Sequence, residues 1–114
     1  MIGIKHNISG GFGYVTGAVE VHDWQSADYQ WYSFNSWYDP ETGMFYWYED
    51  AGCSCFGPME DVTEVGDLSV GVKGDLIAAY KRFAEHGSDM DFEERATAEY
   101  DIRQAIKEAM KETV

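Results

Sequence analysis

At 114 residues, with an apolar fraction of 45% and an aromatic fraction of 16%, the chain has the size and content of one folded domain, residues 1–114, which excludes disorder as its resting state. Its net charge of −13 argues against direct contact with nucleic acid backbones or anionic membranes and favours basic protein partners, met faster at low salt. Residues 1–11 carry a single Lys5 and no continuous apolar run, so neither a secretory leader nor a membrane anchor is expected, and the protein is expected in the cytoplasm.

The charge divides along the chain. Residues 6–72 hold eleven acids and no Lys or Arg, whereas residues 73–114 hold ten acids against seven bases. Aromatic residues divide at the same place, with fourteen of eighteen before residue 61. Large β-favouring side chains gathered in one region predict a sheet there. The expected fold is α+β: an N-terminal antiparallel sheet built on an aromatic-rich hairpin and packed by two C-terminal helices. Residues 1–72 are mainly strands and turns, and 73–114 form the helices.

Taken in order, residues 12–21 read as a first strand. Val15, Val19 and Val21 share one face, Tyr14, Thr16, Ala18 and Glu20 the other, and Gly13 and Gly17 weaken it. Residues 30–38 and 44–50 flank Asp39-Pro40-Glu41-Thr42-Gly43, where Pro40 suits the second turn position and Gly43 a positive φ. This predicts a β-hairpin whose second strand points Phe45, Trp47 and Glu49 one way and Met44, Tyr46, Tyr48 and Asp50 the other. Turn formers from Gly52 to Pro58 end the sheet. An acidic connector, 59–72, follows, in which Val62, Val65, Leu68, Val70 and Val72 have the makings of one more short strand.

Asp75 reads as the N-cap of a helix carrying Leu76, Ile77, Tyr80, Phe83 and Ala84 at three- and four-residue steps, with Gly87 as its left-handed stop. Ser88 and Asp91 then approximate a capping box for a second helix running to about Lys111. Its apolar stripe is Phe92, Ala96, Ile102, Ile106, Ala109 and Met110. Asp91 with Arg95 and Glu99 with Arg103 are acid-to-base pairs at i,i+4, worth about 0.2–0.5 kcal/mol each.

No motif for chemistry stands out. Cys53 and Cys55 are too close for an easy disulfide and supply two of the four ligands of a closed zinc site, so His6, His22 and His86 would have to complete it. Buried or turn-lining free thiols are the expectation, with no metal or other cofactor. His22 beside Asp23 suggests an acid–base pair, but this pattern at a strand end is ordinarily a solvated turn. Gly10-Gly11-Phe12-Gly13 lacks the third glycine of a dinucleotide site and the Lys of a P-loop. Asp89 to Glu93 resembles the start of a calcium loop, yet Glu94 stands where Gly is required. With no leader expected, the sequon at Asn7 is not expected to be glycosylated.

The aromatic block from Tyr29 to Tyr48 admits two roles. Most rings fill the core, while those on an outward face, mixed with acids, form a protein-binding surface. The residues expected there are Trp31, Trp37, Tyr46, Tyr48, Glu49 and Asp50.

Around Trp47-Tyr48, Gly52-Cys53-Ser54-Cys55, Gly57-Pro58 and Glu60, and at the helix start Lys73-Gly74-Asp75-Leu76, the chain resembles a family of short acidic proteins of unknown function encoded by bacteriophages of actinobacteria. The resemblance implies a viral protein acting inside a bacterial cell, and it brings no catalytic or binding residues with it. The leading expectation is a non-enzymatic module that binds and modulates or inhibits a host protein with a basic surface. Nucleic-acid mimicry, blocking a DNA- or RNA-binding host defence factor, is the first alternative. Duplex DNA carries about one charge per 1.7 Å of axis, so a domain about 35 Å across needs on the order of twenty anions along one side. The 21 acids of this chain are spread over all of its surface. A small metal- or thiol-dependent protein using Cys53 and Cys55 is the second alternative.

Overall fold

The computed structural model describes residues 1–6, 13–26, 29–54 and 57–111. The Asn7 sequon, Gly10 to Phe12 of the glycine-rich segment, and Cys55 lie outside the described residues. The fold is α+β. Strands β1 (Gly3–His6) and β2 (Gly13–Thr16) form an antiparallel pair. Strands β3 (Val19–Gln25), β4 (Gln30–Asp39), β5 (Met44–Cys53) and β6 (Ser69–Gly71) form an antiparallel sheet in sequence order. Helices α1 (Lys73–Arg82) and α2 (Phe92–Lys111) lie on one face of it.

The central hairpin forms as its turn chemistry requires. Buried Asp39 accepts hydrogen bonds from the Glu41 N–H (3.0 Å) and the Thr42 hydroxyl (3.2 Å), and Gly43 takes φ +74° as its N–H closes the turn onto the Asp39 carbonyl (2.8 Å). Tyr38 pairs with Phe45, Ser36 with Trp47 and Phe34 with Glu49. This register puts Phe45, Trp47 and Glu49 on the helix side and Met44, Tyr46, Tyr48 and Asp50 on the other, as alternation predicts.

The expected first strand is two. Gly17 sits at φ +75°, and a Cβ there would run into the Met1 carbonyl. The chain turns at this point, so Val15 packs on the second face of the main sheet while Val19 and Val21 join the helix side. The register shifts between Glu20 and His22. This bulge at Val21 keeps Val19, His22 and Trp24 all opposite helix-side residues of β4, namely Tyr38, Ser36 and Phe34.

The main core lies between sheet and helices. Phe34 meets Tyr80 edge-on (centroids 4.9 Å apart) and Phe83 at 5.3 Å, and Trp24 meets Phe83 edge-on at 5.8 Å. Such pairs add about 0.5–1.5 kcal/mol each beyond area burial. Leu76, Ile77 and Tyr80 from α1 and Ala98, Ile102, Ile106 and Ala109 from α2 complete it. The stripe expected on α2 is therefore corrected at its N-terminal end: Phe92 and Ala96 are exposed and Ala98 is buried instead. Met110 is also exposed at the far end.

Helix ends differ from expectation by a turn. Val72 caps α1, and Asp75, three residues on, accepts the Val72 N–H (3.0 Å). A π-helical turn, Phe83–Gly87, follows α1, and Gly87 does not adopt the positive φ of a left-handed stop. At α2 the box is Asp91 with Glu94: the Glu94 N–H donates to Asp91 Oδ1 (2.8 Å) and the Asp91 N–H to Glu94 Oε1 (3.2 Å). With its carboxylate so engaged, Asp91 forms no ion pair with Arg95, whose Nε–H donates to the Asp91 carbonyl (3.4 Å). Glu99 does pair with Arg103 (2.9 Å) and also with Lys81 of α1 (2.9 Å).

Candidate interaction surface on the sheet

Alternation along β4 and β5 gives the sheet a second aromatic face, and what covers that face decides which rings remain available. Ile4 of β1, Val15 of β2, and Met59, Val62 and Leu68 of the connector pack with Trp37. They form a second, smaller core. Trp37 is 6% exposed and Trp31 5%, and the Trp31 indole N–H donates to the Cys53 carbonyl (2.9 Å). Neither indole is presented at the surface, contrary to the sequence expectation. For Trp37 the physical reason is the desolvation gained when Ile4 of β1, Val15 of β2 and the connector close over it.

Of the other four expected residues, Tyr46, Tyr48 and Asp50 occupy the margin of that covered region. Tyr46 and Tyr48 are partly buried against the smaller core. Asp50 is half-buried beside Tyr48 on the same strand, its carboxylate accepting the Met59 N–H (3.1 Å) and the Ala51 N–H (2.9 Å). Glu49 faces the helix side, so the set does not form one surface patch. What joins Tyr48 to Glu49 is the edge of β5. Strand β6 pairs only with Phe45, Tyr46 and Trp47, leaving the outer edge of β5 at Tyr48 and Glu49 without a strand partner among the described residues. A recess of about 440 Å³ opens there, lined by Trp47, Tyr48, Glu49, Asp67, Ser69 and Arg82, with Ala79 behind.

The electrostatics of this edge are anionic and held in place. Asp67 accepts the Thr63 N–H (2.9 Å), the Thr63 hydroxyl (3.1 Å) and the Glu64 N–H (3.1 Å), and these bonds hold its carboxyl below the usual range. Glu60 accepts the Gly57 N–H (2.9 Å). The Tyr48 phenol is pushed up, first by burial and then by Asp50, Asp61 and Asp67 around it. The carboxyl of Glu49, lying toward Gly87, is raised by burial, against the opposing charge of Arg82. Beneath the second face, Asn35 donates to Asp23 (3.0 Å), while buried Ser33 Oγ and Asn35 Oδ1 have no hydrogen-bond partner among the described residues. The carboxylates fixed by backbone N–H groups are preorganised for cations.

Other sites read from the sequence are not assembled. The His22 ring turns away from Asp23 and lies 3.0 Å from the Tyr80 hydroxyl on the helix side, whereas Asp23 meets Asn35. Burial lowers the His22 pKa and raises that of Tyr80. His6 lies exposed on β1, and His86 lies at the end of the π turn beside Glu85 (3.7 Å). Among the described residues no group of three or more His, Cys, Asp or Glu side chains comes together to hold a metal ion. Cys53 is disulfide-bonded, which corrects the expectation of a free thiol there: C-x-C spacing alone does not keep a cysteine reduced.

Among the described residues no helix is long and apolar enough to cross a membrane. Residues 10–112 match the family described as a domain of unknown function, DUF7574, and the chain belongs to that family. No curated protein and no solved structure matches it.

Proposed function

We propose that this member of the DUF7574 family is a non-enzymatic protein-binding module that offers the open, acidic edge of β5 to a basic surface of another protein. The observation that carries the reading is the stretch of β5 at Tyr48 and Glu49 that no strand pairs among the described residues, where a recess opens beside Asp67 and where Asp50 and Asp61 act on the same phenol. An exposed strand edge supplies main-chain donors and acceptors to an incoming segment, and flanking side chains set its specificity. Here those flanks favour Lys and Arg, and a partly buried Tyr is a frequent anchor of binding energy. Together with the likeness to proteins of actinobacterial phages, this makes the protein, in our reading, a viral factor that binds and modulates or inhibits a protein of the bacterial host in its cytoplasm.

The test is capture from host lysate with immobilised wild type, Tyr48→Ala and Asp61→Lys, with circular dichroism to establish that each chain is folded. A partner retained by wild type, released by salt and reduced about tenfold or more by either substitution, a loss of roughly 1.4 kcal/mol, supports the reading. Equal retention by all three folded chains rules out this edge.

A further inference from the structure

Helix α2 carries a second surface, separate from the β5 edge. Phe92 is 79% exposed and Tyr100 65%, and Ala96 and Met110 are exposed too. At 3.6 residues per turn, Phe92, Ala96, Tyr100, Arg103, Lys107 and Met110 fall within roughly a quarter of the helix circumference. Charge is graded along the same stripe. Asp89, Asp91, Glu93 and Glu94 crowd its N-terminal end, while Arg103, Lys107 and Lys111 mark its C-terminal half. At that second end a cavity of about 220 Å³ opens between α1 and α2, floored by Ile77, Ile106 and Met110 and rimmed by Lys73, Arg103 and Lys107, with no acid in its lining. A cation-rimmed apolar cavity is out of character for a chain of net charge −13. It matches one feature of the chain itself, the exposed Phe92 set among acids.

We propose that the chain associates with a second copy of itself through antiparallel packing of α2 on α2. Such a pair has a two-fold axis near Tyr100 and is self-complementary, as a closed dimer requires. Phe92 of each copy reaches the Met110 end of the other and fills its cavity. Glu93 of each copy approaches Lys107 and Lys111 of the other. Arg95 is the one cation at the acidic end, and it is already engaged with the Asp91 carbonyl. Within one chain the two ends cannot meet, because Phe92 and Met110 are 18 residues, about 27 Å, apart on a straight helix. A contact of one helix per copy is at the small end of specific interfaces, so the dimer is expected to be concentration-dependent and weakened by salt.

Sedimentation equilibrium of the full chain tests this. Wild type is expected to rise from 12.9 kDa to twice that mass with concentration, and to fall back when salt is raised. Phe92→Ala, which removes an exposed ring, is expected to weaken the dimer at least tenfold with an unchanged circular dichroism spectrum. Lys107→Glu and Glu93→Lys each place like charges together twice in their own dimers. Neither is expected to dimerise alone, but an equimolar mixture restores both contacts and the doubled mass, a rescue that mere structural damage would not allow. A wild-type chain that stays at 12.9 kDa at concentrations on the order of 1 mM, or a dimer indifferent to these substitutions, overturns the proposal.

Discussion

The His22 imidazole lies between sheet and helices with its Nε2 3.0 Å from the Tyr80 hydroxyl and its ring edge-on to that phenol. Burial lowers its pKa, outweighing the nearby carboxylates of Asp101 and Asp23. The unfolded chain therefore takes up a proton near pH 6.5 that the folded chain still refuses, and stability falls as pH drops from about 6.5 toward the lowered folded value. Neutralisation of other acids toward the isoelectric point acts in the opposite direction, so the effect is isolated by comparison with His22→Gln. In urea denaturation the stability of wild type relative to His22→Gln is expected to decrease between about pH 7 and pH 5. A difference independent of pH would mean that His22 titrates normally.

At the level of the element, the start of α2 illustrates how one cap does several jobs. Asp91 and Glu94 satisfy each other's backbone N–H groups, their charges complement the helix dipole, and Glu94 also accepts the Trp24 indole N–H (3.0 Å), tying the helix to β3. Ser88 instead closes the preceding turn, its hydroxyl donating to the Ala84 carbonyl (3.2 Å) and accepting the Met90 N–H (3.2 Å). Asp91→Ala is accordingly expected to lower stability by about 0.5–2 kcal/mol, more than Ser88→Ala. Thermal or chemical melts of the two variants give the order. The reverse order would restore Ser88 as the cap, which is how Ser88-Asp89-Met90-Asp91 reads in isolation.

The whole molecule is a slab, 38 × 38 × 19 Å, with helices on one face of the main sheet and, on the other, the β1–β2 pair and the connector over Trp37. Over this slab lie 21 acids against 8 bases, and the described ion pairs engage few of them. Self-repulsion is therefore a global destabilising term, screened over a Debye length of about 10 Å at 0.1 M salt. Raising salt from about 0.01 M to about 0.15 M is expected to raise the melting temperature of dilute protein by a few degrees. A flat or falling response would mean that local pairing outweighs net charge.

Much of this architecture is legible without coordinates. The central hairpin, the strict alternation of Phe45 to Asp50, the two helices and the division of charge at residue 73 all follow from spacings of a few residues, because turn dihedrals and side-chain periodicity are local properties of the backbone. What tertiary structure alone decided is which side of each pattern is covered. Gly17 ends a strand because the Met1 backbone passes beside it, Trp37 is sealed because distant segments close over it, and Phe92 is left in water because it shares the side of α2 turned away from Ala98, Ile102 and Ile106. Burial is a property of pairs of segments far apart in the chain, so no window along the sequence contains it.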